Sequence, residues 1–178
     1  MSRISMIKAD DATGVTADVF GQIKKAVGKV PNAYATIGSH NIAALQALLQ
    51  ADAALAKSSL SKQDQETIKL AVSEAAACDY CVAAHTLVGK IAGLAPDTMK
   101  QIRAGEATGD AKRDALVRFV RGIVQSRGTV SQDDFDAIVA AGYSETQLVE
   151  ISLAIAIITF TNVFNRINDT TVDFPAVH

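Results

Sequence analysis

The segment from Glu66 to His85 holds both cysteines of the chain, Cys78 and Cys81, one of its three histidines, and the carboxylates Glu66 and Glu74. The cysteines are spaced C-x-x-C, and His85 follows Cys81 by one helical turn. On a helix, at about 100° per residue, positions 78, 81 and 85 fall within about 60° of one another, so two thiols and an imidazole share a face. A thiol attacks only as its thiolate, and a C-x-x-C at the start of a helix gains an electropositive environment from unpaired backbone N–H groups. His85 can take the Cys81 proton. Attack by that thiolate on an O–O bond gives a sulfenic acid, with which the second cysteine condenses to a disulfide. A carboxylate would orient and polarise the imidazole.

Two plainer readings compete with this one. A zinc site takes four ligands, and with two cysteines, and His40 and His178 remote in sequence, no metal set assembles from the pattern. An inert pair of buried thiols is the other, since free cysteine is a common core residue. The spacing also ranks the carboxylates. If the helix runs unbroken through Ala75-Ala76-Ala77, Glu74 lies on the cysteine face and Glu66 sits about three turns away, so the pattern prefers Glu74. Either Glu is otherwise a solvated helix residue beside a lysine, such as Glu66 with Lys62 or Lys69.

The elements that must position these groups are helices. Apolar positions recur at three and four residues, and strand signals are almost absent. Pro31 and Asn32 break the chain before Ala33–Ile37, and His40-Asn41 opens an Ala/Leu-rich helix to about Ala56. Ser61 with Asp64, Ser131 with Asp134, and Ser144 with Gln147 carry the N-terminal capping pattern. They predict helices running toward Ala76, over about 132–140 and over about 145–167. Between them, a helix beyond the cysteines ends at Gly93, a short one runs from Pro96 to Gly105, and another spans about Asp110–Ser126. No fixed-period repeat or long flexible linker divides the chain. The sequence therefore predicts one all-α helical bundle over 31–178, with residues 1–30 as a loosely attached arm or helix. The last helix is apolar almost all round and needs cover on several faces, which a subunit interface would supply.

The chain has 178 residues, 49% of them hydrophobic, and a formal net charge of -2. That is one ordinary domain with enough apolar matter for a core. Without a run of one charge sign, there is no electrostatic reason to expect a nucleic acid or an anionic membrane as partner. The N-terminus, MSRISMIKADDATG, carries charges where a signal peptide needs an apolar run, so the expected location is cytoplasmic. The longest apolar stretch, Ile151–Phe164, is interrupted by Ser152, Thr159, Thr161 and Asn162 and is shorter than the roughly 18–20 residues that span a bilayer, and it reads as a core helix. Two cysteines cannot form a secreted disulfide framework, and their spacing points to redox or metal chemistry.

Glu66, Cys78 twelve positions on, and the run C-D-Y-C-V-A-A-H to His85 resemble the carboxymuconolactone decarboxylase-like proteins, and within them the alkylhydroperoxidase D (AhpD-like) branch. Asn162, Asn165 and the closing Asp173-Phe174-Pro175 resemble that family's C-terminal pattern, so the likeness covers roughly residues 40–175. The resemblance implies an all-α fold assembling as homotrimers or homohexamers, with a thiol peroxidase site in each subunit. It makes Cys81 the peroxidatic nucleophile, Cys78 the more exposed resolving cysteine that meets the reductant, and His85 and Glu66 the proton relay. Some members carry a histidine where this chain has Tyr80; a phenol titrating near pH 10 is a poor base but can donate a hydrogen bond. The implied activity is an oxidoreductase with peroxide as acceptor, serving antioxidant defence. It reduces small alkyl hydroperoxides through a Cys78–Cys81 disulfide, without a further cofactor, at the expense of a lipoylated protein or small dithiol. The alternatives are the lactone decarboxylation that names the family, which needs no dithiol, and a non-catalytic thiol redox sensor.

Overall fold

Hydroxyl caps fix where several helices begin. Ser61 accepts the Asp64 N–H at 3.0 Å, Ser131 accepts that of Asp134 at 3.1 Å, and Ser144 and Gln147 form a reciprocal capping box. Each satisfies backbone donors that a first turn leaves open. The computed structural model describes residues 2–177, so His178 lies outside the described residues. In order, the helices are α1 (Gly14–Val27), α2 (Asn32–His40), α3 (Ile42–Ala56), α4 (Lys62–Ala75), α5 (Asp79–Ile91), α6 (Pro96–Ala104), α7 (Ala111–Ser126), α8 (Gln132–Ala140) and α9 (Glu145–Asn168). A 3-10 turn, Ala9–Asp11, precedes α1, and no strand occurs among the described residues. The protein is all-α.

α4 is the hub, with α5, α6, α7 and α9 packed around it. Its Ile68, Leu70, Ala71 and Val72 are buried, as are the polar Glu66, Thr67 and Ser73. A helix enclosed on several faces can carry a polar group into the interior only if neighbours supply its partners. That condition makes α4 the natural holder of a site.

The N-terminal thirty residues are not the loosely attached arm that the sequence suggests. Val19, Phe20 and Ile23 place one face of α1 in the core. Phe20 packs so closely on α2 that a Cβ at Gly38 would stand 2.6 Å from Phe20 Cε1 and 2.8 Å from Leu45 Cδ2. Ahead of α1, the Ile4 N–H donates to Asn168 Oδ1 at 2.8 Å and Arg3 Nη1 to the Ile167 carbonyl at 3.1 Å. The start of the chain is tied to the end of α9.

α9 extends beyond the apolar stretch read from the sequence. At 24 residues and a mean hydropathy of 1.7 it is long and apolar enough, by length and composition, to cross a membrane. It packs instead along α4 and α3, burying Ile151, Ala154, Ile157 and Ile158 and then, toward its end, Asn162, Asn165 and Asn168. Its other face leaves Val149, Phe160, Val163 and Ile167 exposed. This chain alone does not supply cover on every side.

Candidate active site

α4 and α5 are separate helices, and the break between them decides the site. The Cys78 N–H donates to the Ser73 carbonyl at 3.0 Å and the Ala77 N–H to that of Glu74 at 2.9 Å. These two bonds make a Schellman termination with Ala77 in the left-handed region, φ 49°. Glycine usually occupies that position, so the sequence carries no warning of the turn. The reversal folds α5 back along α4 and brings His85 over Glu66, with His85 Nδ1 2.8 Å from Glu66 Oε2. Glu74, the carboxylate preferred by the helical pattern, is turned away and pairs with Arg103 at 2.7 Å. The unbroken helix that favours Glu74 is corrected by the structure, and Glu66 is the residue brought to the imidazole.

Glu66 is 4% exposed, and a buried carboxylate needs partners. Burial works to raise its pKa, but His85 and then Lys69 outweigh burial and hold the carboxyl below its ordinary value. Lys69 Nζ lies 3.4 Å from Glu66 Oε1 and 3.8 Å from Asp52 Oδ1. The Tyr34 hydroxyl donates to Asp52 at 3.5 Å, and burial followed by Asp52 raises its pKa. His85, Glu66, Lys69, Asp52 and Tyr34 thus form one connected polar chain across α5, α4, α3 and α2.

Cys78 is the N-cap of α5, and its sulfur accepts the Cys81 N–H at 3.4 Å. The two cysteines form a disulfide with their Cα atoms 5.3 Å apart. Both are 2% exposed, so in this chain Cys78 is not the more accessible of the pair. They differ in which cavity they meet. Cys81 and His85 line an apolar cavity of about 390 Å³, walled by Tyr34, Val88 and Phe174 among others. Cys78 lines a polar one of about 320 Å³, with Arg3, Asp79, Arg166 and Asp169. Asn165 and Tyr80 border both.

Tyr80 is anchored rather than free. Its hydroxyl accepts the Ala33 N–H at 3.1 Å, and its ring meets Phe174 edge-on at 5.3 Å. Burial, opposed by the Ala33 bond and assisted by Asp173, pushes the phenol above its ordinary range, so it cannot serve as a base. Lys29 stands 4.6 Å over the Phe174 ring and pairs with Asp173 at 2.8 Å, holding the C-terminal segment against the cavity. His40 is far from the cysteines in its bonding and meets the Ser5 carbonyl at 2.8 Å. Among the described residues, no group of three or more His, Cys, Asp or Glu side chains converges on a metal position.

A pair of helices that carries Glu66 against His85, with a C-x-x-C at their junction, has a recognised counterpart. Residues 42–120 match the carboxymuconolactone decarboxylase family. That span runs from α3 into α7 and contains Glu66, Cys78, Cys81 and His85. Solved structures extend the likeness to the whole fold. An AhpD-core, uncharacterized peroxidase-related protein from Ralstonia eutropha JMP134 has a TM-score of 0.86 at 22% identity, over 97% of this chain and 92% of that one. A peroxidase-related protein from Silicibacter sp. TM1040 has a TM-score of 0.80 at 21% identity, over 96% and 94%. The debrominase Bmp8, in complex with 2,3,4-tribromopyrrole, has a TM-score of 0.82 at 20% identity, over 97% and 92%. At such identities the likeness is one of fold. No curated protein matches the chain significantly.

The motif that signals the family from sequence also marks the four residues that meet here. Sequence reasoning misses Tyr34, Lys29 and Phe174 as walls of the cavity, because each comes from an element distant in sequence. It singles out Asn165 only by likeness, without a contact.

Proposed function

We propose that this protein is a thiol-dependent peroxidase that reduces small alkyl hydroperoxides through a Cys78–Cys81 redox disulfide. The observation that carries the reading is the Glu66–His85 pair beside an apolar cavity that Cys81 shares. With Nδ1–H donating to Glu66, the His85 lone pair lies on Nε2 and accepts the Cys81 thiol proton. The thiolate attacks the terminal oxygen of ROOH. An S–O bond forms and the O–O bond breaks, and the alkoxide takes the proton from His85 to leave as ROH. Cys78 then attacks the sulfenic sulfur, giving the disulfide and water.

The cavities divide the labour in this reading. The apolar one suits the organic part of a hydroperoxide, and the polar one beside Cys78 suits a dithiol donor, such as a lipoylated protein or a small dithiol. A reducing compartment, the cytoplasm, keeps such a donor reduced. The exposed apolar face of α9 supports assembly as a homotrimer or homohexamer.

Stopped-flow reaction of the reduced protein with cumene hydroperoxide and hydrogen peroxide, with thiols counted by mass, tests the proposal. Two thiols per chain should disappear rapidly. Cys81→Ser should lose the reaction, and Cys78→Ser should consume one equivalent and stop at the sulfenic acid. A near wild-type rate in Cys81→Ser overturns the assignment.

A second reading draws on the debrominase fold neighbour and the apolar cavity. The same dithiol would replace a carbon–bromine bond by carbon–hydrogen, releasing bromide and a proton as the disulfide forms. Release of bromide from 2,3,4-tribromopyrrole by the reduced protein, with no reaction toward hydroperoxide, would favour it.

A further inference from the structure

We infer that Asn165 is a catalytic residue of this site: its amide N–H stabilises Cys81 as the thiolate, and its carbonyl oxygen receives the O–H of the hydroperoxide. The second half rests on the peroxidase reading above; the first holds for any chemistry in which Cys81 acts as a thiolate.

Asn165 projects from α9 and is 4% exposed. Its Nδ2 donates to Cys81 Sγ at 3.4 Å, so the donor is already aimed at the sulfur when the disulfide opens. A hydrogen bond to an ionised acceptor is roughly twice as strong as one to a neutral acceptor, and reduction is the moment the charge arrives. The other end of the amide has no such use. Asn165 Oδ1 is buried without a hydrogen-bond partner, an arrangement that folded proteins generally avoid. It belongs to the side chain that borders both cavities, where a bound molecule can donate to it.

The position is held from both sides. At the next residue, Arg166 Nη1 donates to the carbonyls of Ala76 at 2.6 Å and Ala77 at 2.8 Å, clamping α9 to the turn that ends in Cys78. One turn earlier, Asn162 accepts the Ser73 hydroxyl at 3.2 Å. Asn165 is thereby fixed over the sulfur without using its own carbonyl.

During turnover the terminal O–H of ROOH donates to Oδ1 while Cys81 attacks that same oxygen. The proton stays on the oxygen as the S–O bond forms, so one hydrogen bond serves first the peroxide and then the sulfenic acid. The leaving alkoxide is protonated by His85, which holds the proton taken from the thiol.

The test is alkylation of Cys81 by iodoacetamide at neutral pH in a Cys78→Ser background, with Asn165→Leu and Asn165→Asp. Leu keeps the size without the amide, and Asp replaces the donor by a negative charge. Both should slow alkylation about tenfold or more, Asp the more strongly. The rate with cumene hydroperoxide should fall further than the alkylation rate, because the substrate bond is lost as well. Melting temperatures of the variants establish that they fold. Alkylation within twofold of the parent in a folded variant overturns the inference. If the parent ignores peroxides yet alkylation slows in both variants, the peroxidase reading fails and the thiolate role stands.

Discussion

Glu66 and Glu74 are chemically alike, and their surroundings give them opposite expectations. Glu66 is enclosed against His85 and Lys69, whereas Glu74 forms a partly exposed pair with Arg103. Glu66→Gln should lower the rate of thiol oxidation by about a hundredfold, within the range of lost general-base catalysis. Glu74→Gln should leave it within about twofold, as expected of an exposed pair. Stopped-flow traces of the two variants decide this, and equal losses would sink the relay. The same carboxylate links stability to pH. Its folded pKa lies below the ordinary 4.5, so the folded state holds its proton less readily than the unfolded chain. The stabilisation is fully present above 4.5 and is lost as pH falls through the lower folded value. Urea midpoints of wild type and Glu66→Gln should therefore differ at neutral pH by about 2 kcal/mol and converge on acidification. A gap that stays constant into acid would refute this linkage.

Among the elements, the α4–α5 reversal carries the site. Ala77 adopts a conformation that disfavours an L side chain by about 1–2 kcal/mol. Ala77→Gly should raise the melting temperature by roughly 2–4 °C, and Ala77→Val should lower it, because a branched Cβ crowds the same backbone further. A drop with glycine would contradict the reading. At the α1–α2 crossing the sign is reversed. Gly38→Ala drives a methyl into Phe20 and Leu45 and should cost about 1–3 kcal/mol in denaturant unfolding. Helix positions were legible in these regions because caps such as Ser144 and stops such as Gly93 and Gly142 advertise themselves. The turns at Ala77, Arg127 and Asp169 were not, since each holds a positive φ without glycine.

For the whole molecule, the unresolved balance lies on α9. One face is committed to the core and the Asn165 contact, and the other exposes Val149, Phe160, Val163 and Ile167. Apolar side chains at this spacing form a continuous stripe along a helix. If that stripe is the subunit contact of a homo-oligomer, Phe160→Glu should shift the mass measured by light scattering toward the monomer while the disulfide still forms. A wild-type protein that is already monomeric would remove the premise.

Residue types and local spacing determined the helical class, most helix boundaries, and the membership of Cys78, Cys81 and His85 in one cluster. These are properties of a few consecutive turns, which sequence periodicity encodes directly. Tertiary structure alone decided that Glu66 and not Glu74 meets His85, because that depends on a reversal which an alanine performs in place of glycine. It also decided that the two cysteines, equally buried, face different cavities. Those cavities are enclosed by α1, α2, α9 and the C-terminal segment, and no local pattern records how segments so far apart in the chain come together.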